Sequence, residues 1–587
     1  MRILLLTHAF NSLTQRLWAD LTREGHVLSI EFDIADSVAE EAVALFRPDL
    51  IVCPYLRRAI PETVWRKHVC LVIHPGIVGD RGPSALDWAI HGRTPVWGVT
   101  VLQAEADMDA GAVWAHAEFP MRCATKASLY RNEVTDGAAQ AVLQAVARFE
   151  AGDFVPQRPA QSEWRPLMKP ADRRIDWQRD DTATVLDKIR AADGFPGVED
   201  ELFGEPCRLF DAWPDATLAG APGAILARRE NALLRGTTDG AVWIGHVRRI
   251  RPGEAPISVH NIDVERRLAS ADFVKLPATT AFAAQCEALP ESALPGWWKQ
   301  PAATWQDIAY EESDNDGKPV GFLHFEFYNG AMSSRQCERL RAALAWARAR
   351  PTKVLVLMGG EDFWSNGIHL NLIERAESPA DESWRNINAI DDLARDLIEN
   401  CDQITVAAVG GNTGAGGCFL ARAADLMWVR DGAILNPHYK NMGNLYGSEY
   451  WTYLLPRRVG DEGARRIMRD RLPLTAQRAV EIGFADAALA GSRAAWRVDV
   501  ARRAAEIAAA PGFAARLEEK RARRERDEAA KPLAAYRAEE LAQMRRNFYG
   551  FDPSYHVARF HFVVKSLASW TPRHLARHRD LGWQVPI

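Results

Sequence analysis

The sequence predicts an α/β chain of several domains, and three observations predict it. Short apolar runs alternate with helix-patterned segments from residue 1 to residue 75. A second alternation begins at Ala309, beyond a stretch carrying Pro290, Pro295, Gly296 and Pro301. Within it, the apolar run Ile404–Val409 breaks into a loop holding Gly410, Gly411, Gly414, Gly416 and Gly417, followed by a helix-compatible segment to Asp425. Strands that alternate with helices point to parallel sheets with helical crossovers. At 587 residues the chain has room for roughly three or four domains.

Composition narrows the function classes. Apolar content of 47% and charged content of 25% are those of a globular chain, and the net charge of −5 gives no case for nucleic acid as a partner. The apolar core Ile3–Leu6 is too short for a signal peptide and reads as a first buried strand. The uncharged run Ile404–Ala421 approaches membrane-span length, but its glycines, Asn412 and Thr413 make it a turn, so no membrane partner is expected. Eight cysteines lie far apart without a C-x-x-C pair, which argues against a disulfide framework or a metal site and for reduced thiols in the cytoplasm.

In the first alternation, Ile3–Leu6, Val27–Phe32, Leu50–Cys53 and Cys70–Ile73 read as strands, with helical patterns at Leu13–Leu21 and Ala39–Phe46 between them. This order predicts a parallel, Rossmann-like sheet. The last strand runs into His74-Pro75-Gly76, then Asp80-Arg81-Gly82-Pro83-Ser84; Gly98-Val99-Thr100 and Asp109-Ala110-Gly111 follow.

Those His-Pro, Arg-Gly, Gly-Val-Thr and Asp-x-Gly parts resemble, in order and spacing, the 10-formyltetrahydrofolate-dependent formyltransferases. The resemblance implies His74 as the acid/base, Asp109 as the residue that orients it, and Arg81, Gly82 and Ser84 as a loop against the folate or formyl group. The departures are specific. The family's catalytic Asn position holds Val72, and its Ser-Leu-Leu-Pro reads Gly76-Ile77-Val78-Gly79. Losing one oxyanion donor typically costs ~3 kcal/mol. Either Ser84 or a backbone group compensates, or the acceptor is an easier nucleophile. A thiol with pKa near 8.5 is roughly 3% thiolate at pH 7, far more than an alkylammonium near 10.4 offers as free amine.

The segments Trp164–Trp177, Ile189–Ala191 and Phe195–Gly197 resemble the small β-rich, OB-like C-terminal domain of the same enzymes. The expected organisation is a catalytic domain at 1–160, the β-rich domain at 161–276, a linker carrying a short helix at 277–303, and a last domain at 304–587 with a helical tail.

In the last domain, Ala309–Glu312 and Pro319–Tyr328 read as strands, and a helix over Ser333–Ala349 precedes the strand Lys353–Met358. Asp362–His369 is a glycine turn about fifty residues before the second one at Gly410–Gly417. A glycine turn between strand and helix lets N–H groups approach an anion with no Cβ in the way. The two turns, with Leu472–Gly483, resemble the crotonase (enoyl-CoA hydratase) superfamily, whose fold is an α/β spiral. The resemblance implies that the N–H groups of Ile368 and Gly416 form an oxyanion hole for a CoA thioester carbonyl. The positions at which hydratases keep their two glutamates read Phe419 and Tyr439. Phe419 cannot move a proton, so water addition to a double bond is not expected. Tyr439 and Glu449, the latter set among aromatic residues, are the acid/base candidates, and burial would raise the pKa of Glu449.

Arg465, Arg466, Arg469 and Arg471 cluster near the helix that follows; Arg465 and Arg469, with Arg131 in the first half, are candidates for CoA phosphates, the alternative being a solvated face. The run Lys520–Arg526 reads as a solvated helix face.

A formyl-folate lobe joined to a thioester lobe points to formyl-CoA, which has no α-carbon. It can only lose CO or be hydrolysed to formate. This two-lobe order, with both sets of departures, resembles the HypX (HoxX) family of hydrogenase maturation proteins. The resemblance implies formyl transfer from 10-formyltetrahydrofolate to CoA and decarbonylation of formyl-CoA to CO, the iron ligand of NiFe-hydrogenase. It also implies an internal cavity for CoA between the lobes and the hydrogenase iron-site assembly machinery as a partner. The alternatives are a lobe that hydrolyses formyl-CoA and one that only binds CoA.

Overall fold

A computed structural model describes residues 1–250, 274–313, 319–566 and 568–580. The stretch 251–273, inside the expected β-rich domain, lies outside the described residues. The chain divides into two compact units: Met1–Glu291 together with the described residues from Ser566 on, and Ser292–Lys565.

In the first unit, a six-stranded sheet runs from edge to edge as Val27–Phe32, Arg2–Thr7, Leu50–Cys53, Cys70–His74, Val96–Gln103 and Val113–Pro120. Its first four strands are parallel, as the alternation of strand and helix patterns requires, and the last two are antiparallel. Ile3, Leu4, Leu5, Ile51 and Val52 are fully buried, which is why these strands read as unbroken apolar runs. His74 ends its strand at the carboxyl edge, where open α/β sheets hold ligands. A second sheet, antiparallel throughout, orders Ile225–Arg229, Ala232–Gly236, Ala241–Arg249, Glu205–Asp215 and Val198–Leu202, with Leu276–Pro277 beside the third. The helix Thr182–Ala192 packs Val185, Leu186 and Ile189 into its core. The returning C-terminal segment lies on the edge strand Val27–Phe32. Leu575 carbonyl accepts from the Ile30 N–H (3.0 Å), and His578 Nε2 meets Glu31 Oε2 at 2.9 Å. The organisation expected from the sequence has this tail in the last domain, whereas its contacts place it with the first unit.

In the second unit each repeat gives one strand to a large sheet and one to a small sheet. The large sheet orders Ile308–Ser313, Val320–Phe325, Val354–Gly359, Ile404–Val409, Leu426–Arg430 and Ala487–Leu489, all parallel after the first. The small sheet orders Phe363–Ser365, Asn412–Gly414, Ile434–Asn436 and Leu474–Thr475. Parallel pairing of its first three strands sets the two glycine turns side by side. The helix Ser334–Arg348 starts at a capping box, Ser333 with Gln336. Against the expected solvated face, Lys520 of the helix Phe513–Ala530 is 6% exposed, its Nζ donating to the Gln403 carbonyl (2.8 Å) and Asp425 Oδ2 (2.5 Å). A charge run says nothing about which of its members finds a partner distant in sequence.

Arg339 on the capped helix makes a buried two-bond pair with Asp307 at 2.8 and 2.9 Å, next to the first strand of the large sheet. Asp307→Ala strands the guanidinium, and the expected loss of stability is ~3–5 kcal/mol, measured by urea denaturation followed by tryptophan fluorescence.

Candidate active sites

The loop after His74 is tied down by two bonds: Trp97 Nε1 donates to the Pro75 carbonyl (2.9 Å) and Thr100 Oγ1 to the Gly76 carbonyl (2.8 Å). His74 lies 4% exposed between two carboxylates. Its Nε2 is 2.8 Å from Asp80 Oδ2, and its Nδ1 is 3.5 Å from Asp109 Oδ2. Arg165 Nε, 2.6 Å from Asp80 Oδ1, holds the first carboxylate. The Gly82 N–H donates to Asp109 Oδ2 at 3.1 Å and holds the second, with Asp109 at a positive φ of 53°. The tautomer that donates Nε2–H to Asp80 leaves the Nδ1 lone pair on the Asp109 side.

Gly76 explains one departure from the formyltransferase pattern. A Cβ there would collide with both His74 Nε2 and Asp80 Oδ2, so the His74–Asp80 bond needs glycine where the family has Ser. Asp80 escaped the sequence reading; the signal was a carboxylate inside the His-to-Arg-Gly loop. Arg81 donates twice to the Met108 carbonyl (3.1 and 3.0 Å), bracing the loop that carries Asp109. Ser84, 3% exposed, accepts from the Met168 N–H at 3.0 Å. Arg131 is half-buried in a single π-helical turn, Tyr130–Val134.

In the second unit the two glycine turns meet. A Cβ on Gly367 would stand 3.4 Å from the Gly416 nitrogen, and Gly367 itself has φ +77°. Gly416 opens the helix Gly416–Arg422, where the first N–H groups have no intrahelical acceptor. Ile368 bridges Met332, but the Met332 N–H donates to the Gly367 carbonyl (2.9 Å), so the Ile368 N–H is left out of the ladder.

Tyr439 and Glu449 face each other here. The Tyr439 hydroxyl lies 2.5 Å from Glu449 Oε2 and 2.9 Å from the Ser448 carbonyl. The Glu449 carboxyl presses on Gly416 so closely that a Cβ there would collide with Oε1. The Tyr439 ring stacks on Phe419, centroids 5.4 Å apart and planes 14° from parallel, a contact worth ~0.5–1.5 kcal/mol beyond its burial. Gly447 is required behind it, since a Cβ would strike the Tyr439 ring. Burial pushes the Glu449 carboxyl up to about 8, with the Asp391 carboxylate adding to the rise. Burial, with Glu449 beside it, drives the Tyr439 phenol well above its ordinary range, so it stays a donor. Among the described residues no Lys or Arg forms an ion pair with Glu449.

Two further carboxyls, Asp391 and Glu540, are wholly buried around the same turn and were not singled out from sequence. Both come from helix interiors, where no local motif marks them. Arg465, Arg466 and Arg469 are exposed on the helix Pro456–Asp470, and Arg469 pairs with Asp470 at 2.9 Å. Among the described residues no cluster of His, Cys, Asp and Glu could hold a metal, and no helix is long and apolar enough to cross a membrane.

Comparison with known proteins follows the same division. The Formyl transferase family matches residues 32–146, its C-terminal domain residues 167–262, and the Enoyl-CoA hydratase/isomerase family residues 326–547. The hydrogenase maturation factor HoxX of Bradyrhizobium diazoefficiens is 52% identical over 584 residues, 99% of this chain and 97% of that one. The chain belongs to the HypX/HoxX family of hydrogenase maturation factors. Crystal structures of HypX from Aquifex aeolicus, one a variant and one in complex with tetrahydrofolic acid, superpose over the whole of both chains at TM-score 0.93 and 45% identity. The α/β multidomain fold, with Rossmann-like and crotonase-like parts, is thus that of HypX.

A carboxyl protonated in the fold at pH values where it is ionised in the unfolded chain stabilises the fold less as pH rises. For Glu449 the loss runs from about 4.5 to about 8. Glu449→Gln should therefore raise the melting temperature more at a pH of about 8.5 than at about 5.5, measured by calorimetry on the full chain.

Proposed function

We propose that this protein makes carbon monoxide for the iron of NiFe-hydrogenase, moving a formyl group from 10-formyltetrahydrofolate to CoA in the first lobe and releasing CO from formyl-CoA in the second. The observation that carries this reading is the second site. Its backbone donors are placed as those of a thioester oxyanion hole would be, yet Phe419 and Tyr439 stand where hydratases keep their two glutamates, and the buried Glu449 is hydrogen-bonded to the Tyr439 hydroxyl. The tetrahydrofolate complex of the Aquifex HypX and the formyltransferase match support folate as the donor; the crotonase-like fold supports CoA as the acceptor.

In the first lobe, His74 Nδ1 takes the thiol proton as sulfur bonds to the formyl carbon. It returns that proton to the folate nitrogen as the C–N bond breaks. Asp80 and Asp109 hold the imidazole in line. Arg131, Arg465 and Arg469 remain the candidates for the CoA phosphates.

In the second lobe the Ile368 and Gly416 N–H groups polarise the thioester carbonyl. The ionised Glu449 carboxyl takes the formyl proton, the C–S bond breaks to leave CO and thiolate, and the Tyr439–Glu449 pair returns the proton to sulfur. Glu449 suits the base: with a pKa of about 8, roughly a tenth is ionised at pH 7, and that fraction is a far stronger base than an ordinary carboxylate.

The full chain supplied with formyl-folate and CoA should yield CO, read as the haem carbonyl absorbance. Tyr439→Phe and Glu449→Gln should cut the yield by about 10²-fold or more, with formyl transfer intact. Undiminished CO from both variants would remove these residues from the reaction, and formate in place of CO would make the lobe a hydrolase. With synthetic formyl-CoA, the CO-release rate should climb with pH and level off above about 8, since the base must be ionised. A rate that falls over that range would contradict Glu449 as the base.

A further inference from the structure

We infer that Asp391 and Glu540 are positioning residues for the second site, gripping the Ser448–Thr452 backbone from two helices so that the Glu449 carboxyl stays in the space Gly416 leaves open. The inference rests on the proposed decarbonylation. Asp391 lies in the helix Pro379–Ile398 and Glu540 in the helix Leu533–Tyr549; both are 0% exposed. Asp391 accepts the Glu449 N–H and the Ser448 hydroxyl, each at 2.8 Å. Glu540 accepts the N–H groups of Tyr450 (3.0 Å) and Thr452 (2.8 Å), the Thr452 hydroxyl (2.5 Å), and the Ser448 hydroxyl (3.3 Å).

The turn needs such a grip. Glu449 and Tyr450 both sit in the left-handed region, at φ 57° and 59°, which side-chain-bearing residues avoid. Two successive residues there reverse the chain sharply and aim Glu449 at Gly416. Donors at Glu449, Tyr450 and Thr452 all end on one of the two carboxyls, so the strained backbone is held by helices outside the turn itself.

A carboxylate at 391 does more than accept hydrogen bonds, because its charge disfavours ionisation of Glu449. The titratable groups facing Glu449 from the surrounding elements are the Tyr439 hydroxyl, Asp391, Glu540 and Cys337, and those facing Asp391 in turn include Arg537 and Tyr450. Arg537, the cation among them, reaches Asp391 Oδ2 only at 3.8 Å and is bound more closely to Asp392 (2.5 Å). Burial raises Asp391 as well as Glu449, and the Asp391 carboxylate, bonded to the Glu449 N–H, opposes ionisation of the Glu449 carboxyl.

Asp391→Asn keeps an acceptor oxygen and removes the charge. On the full chain with synthetic formyl-CoA, the midpoint of the acid limb of kcat for CO release should move down by about one pH unit, with KM little changed. A uniformly lower kcat with an unmoved midpoint would reduce Asp391 to structural support and overturn its share of the inference. Ser448→Ala removes the hydroxyl shared by both carboxyls and no charge. It should lower kcat by about tenfold at an unmoved midpoint, whereas a wild-type kcat would overturn the grip. This gentler variant carries the test where Asp391→Asn does not fold. If wild type releases no CO, or Glu449→Gln releases it undiminished, the parent reading fails instead. Carbon-13 NMR of labelled glutamate then decides the inference alone: the Glu449 midpoint falls in Asp391→Asn if the inference holds and stays if it does not.

Discussion

A carboxyl group buried without a counter-charge organises the second lobe. Glu449 is held against the backbone of Gly416, touched by one phenol, and surrounded by apolar and like-charged groups. Desolvation penalises its anion, so the site stores basicity that an exposed carboxylate lacks. Its neighbours keep it there: glycine at 416 and 447 for space, the Phe419–Tyr439 stack as a wall, and a left-handed turn that side-chain-bearing residues disfavour. The hydratase solution, two glutamates around a water, needs polar access; this one needs its exclusion.

The first lobe solves the opposite problem. His74 has a carboxylate at each nitrogen, and each carboxylate is anchored by a donor from another segment, Arg165 for Asp80 and the Gly82 N–H for Asp109. The ring is thereby held in place from both nitrogens. Such a ring suits a step in which a thiol proton must be taken and returned. On the proposed reading, Val72 gives up a side-chain donor, a loss that a thiol acceptor would tolerate better than an amine acceptor, little of which is deprotonated at neutral pH.

What was legible in the sequence has local causes. Parallel strands declare themselves as apolar runs because both faces are buried, and the glycine turns are visible because nothing else fits where two backbones nearly touch, as at Gly367 and Gly416. The order of those motifs carries the resemblance to the HypX/HoxX family. What escaped has long-range causes. Asp391 and Glu540 look like ordinary helix carboxylates in sequence, and only the packing of two helices around Ser448–Thr452 buries them. Lys520 hides in a basic run whose other members bear the appearance of a solvated face. Asp80 lay inside a recognised motif and went unnoticed, since its role depends on the missing Cβ of Gly76.

The central claim is that a thioester pocket without water-activating acids expels carbon monoxide from a formyl group. Formyl-CoA labelled with carbon-13 at the formyl carbon, incubated with the full chain and followed by NMR in a sealed tube, tests it directly. The account predicts that the label leaves as dissolved ¹³CO with free CoA in equal amount; label recovered as ¹³C-formate, or retained in the thioester, would contradict it.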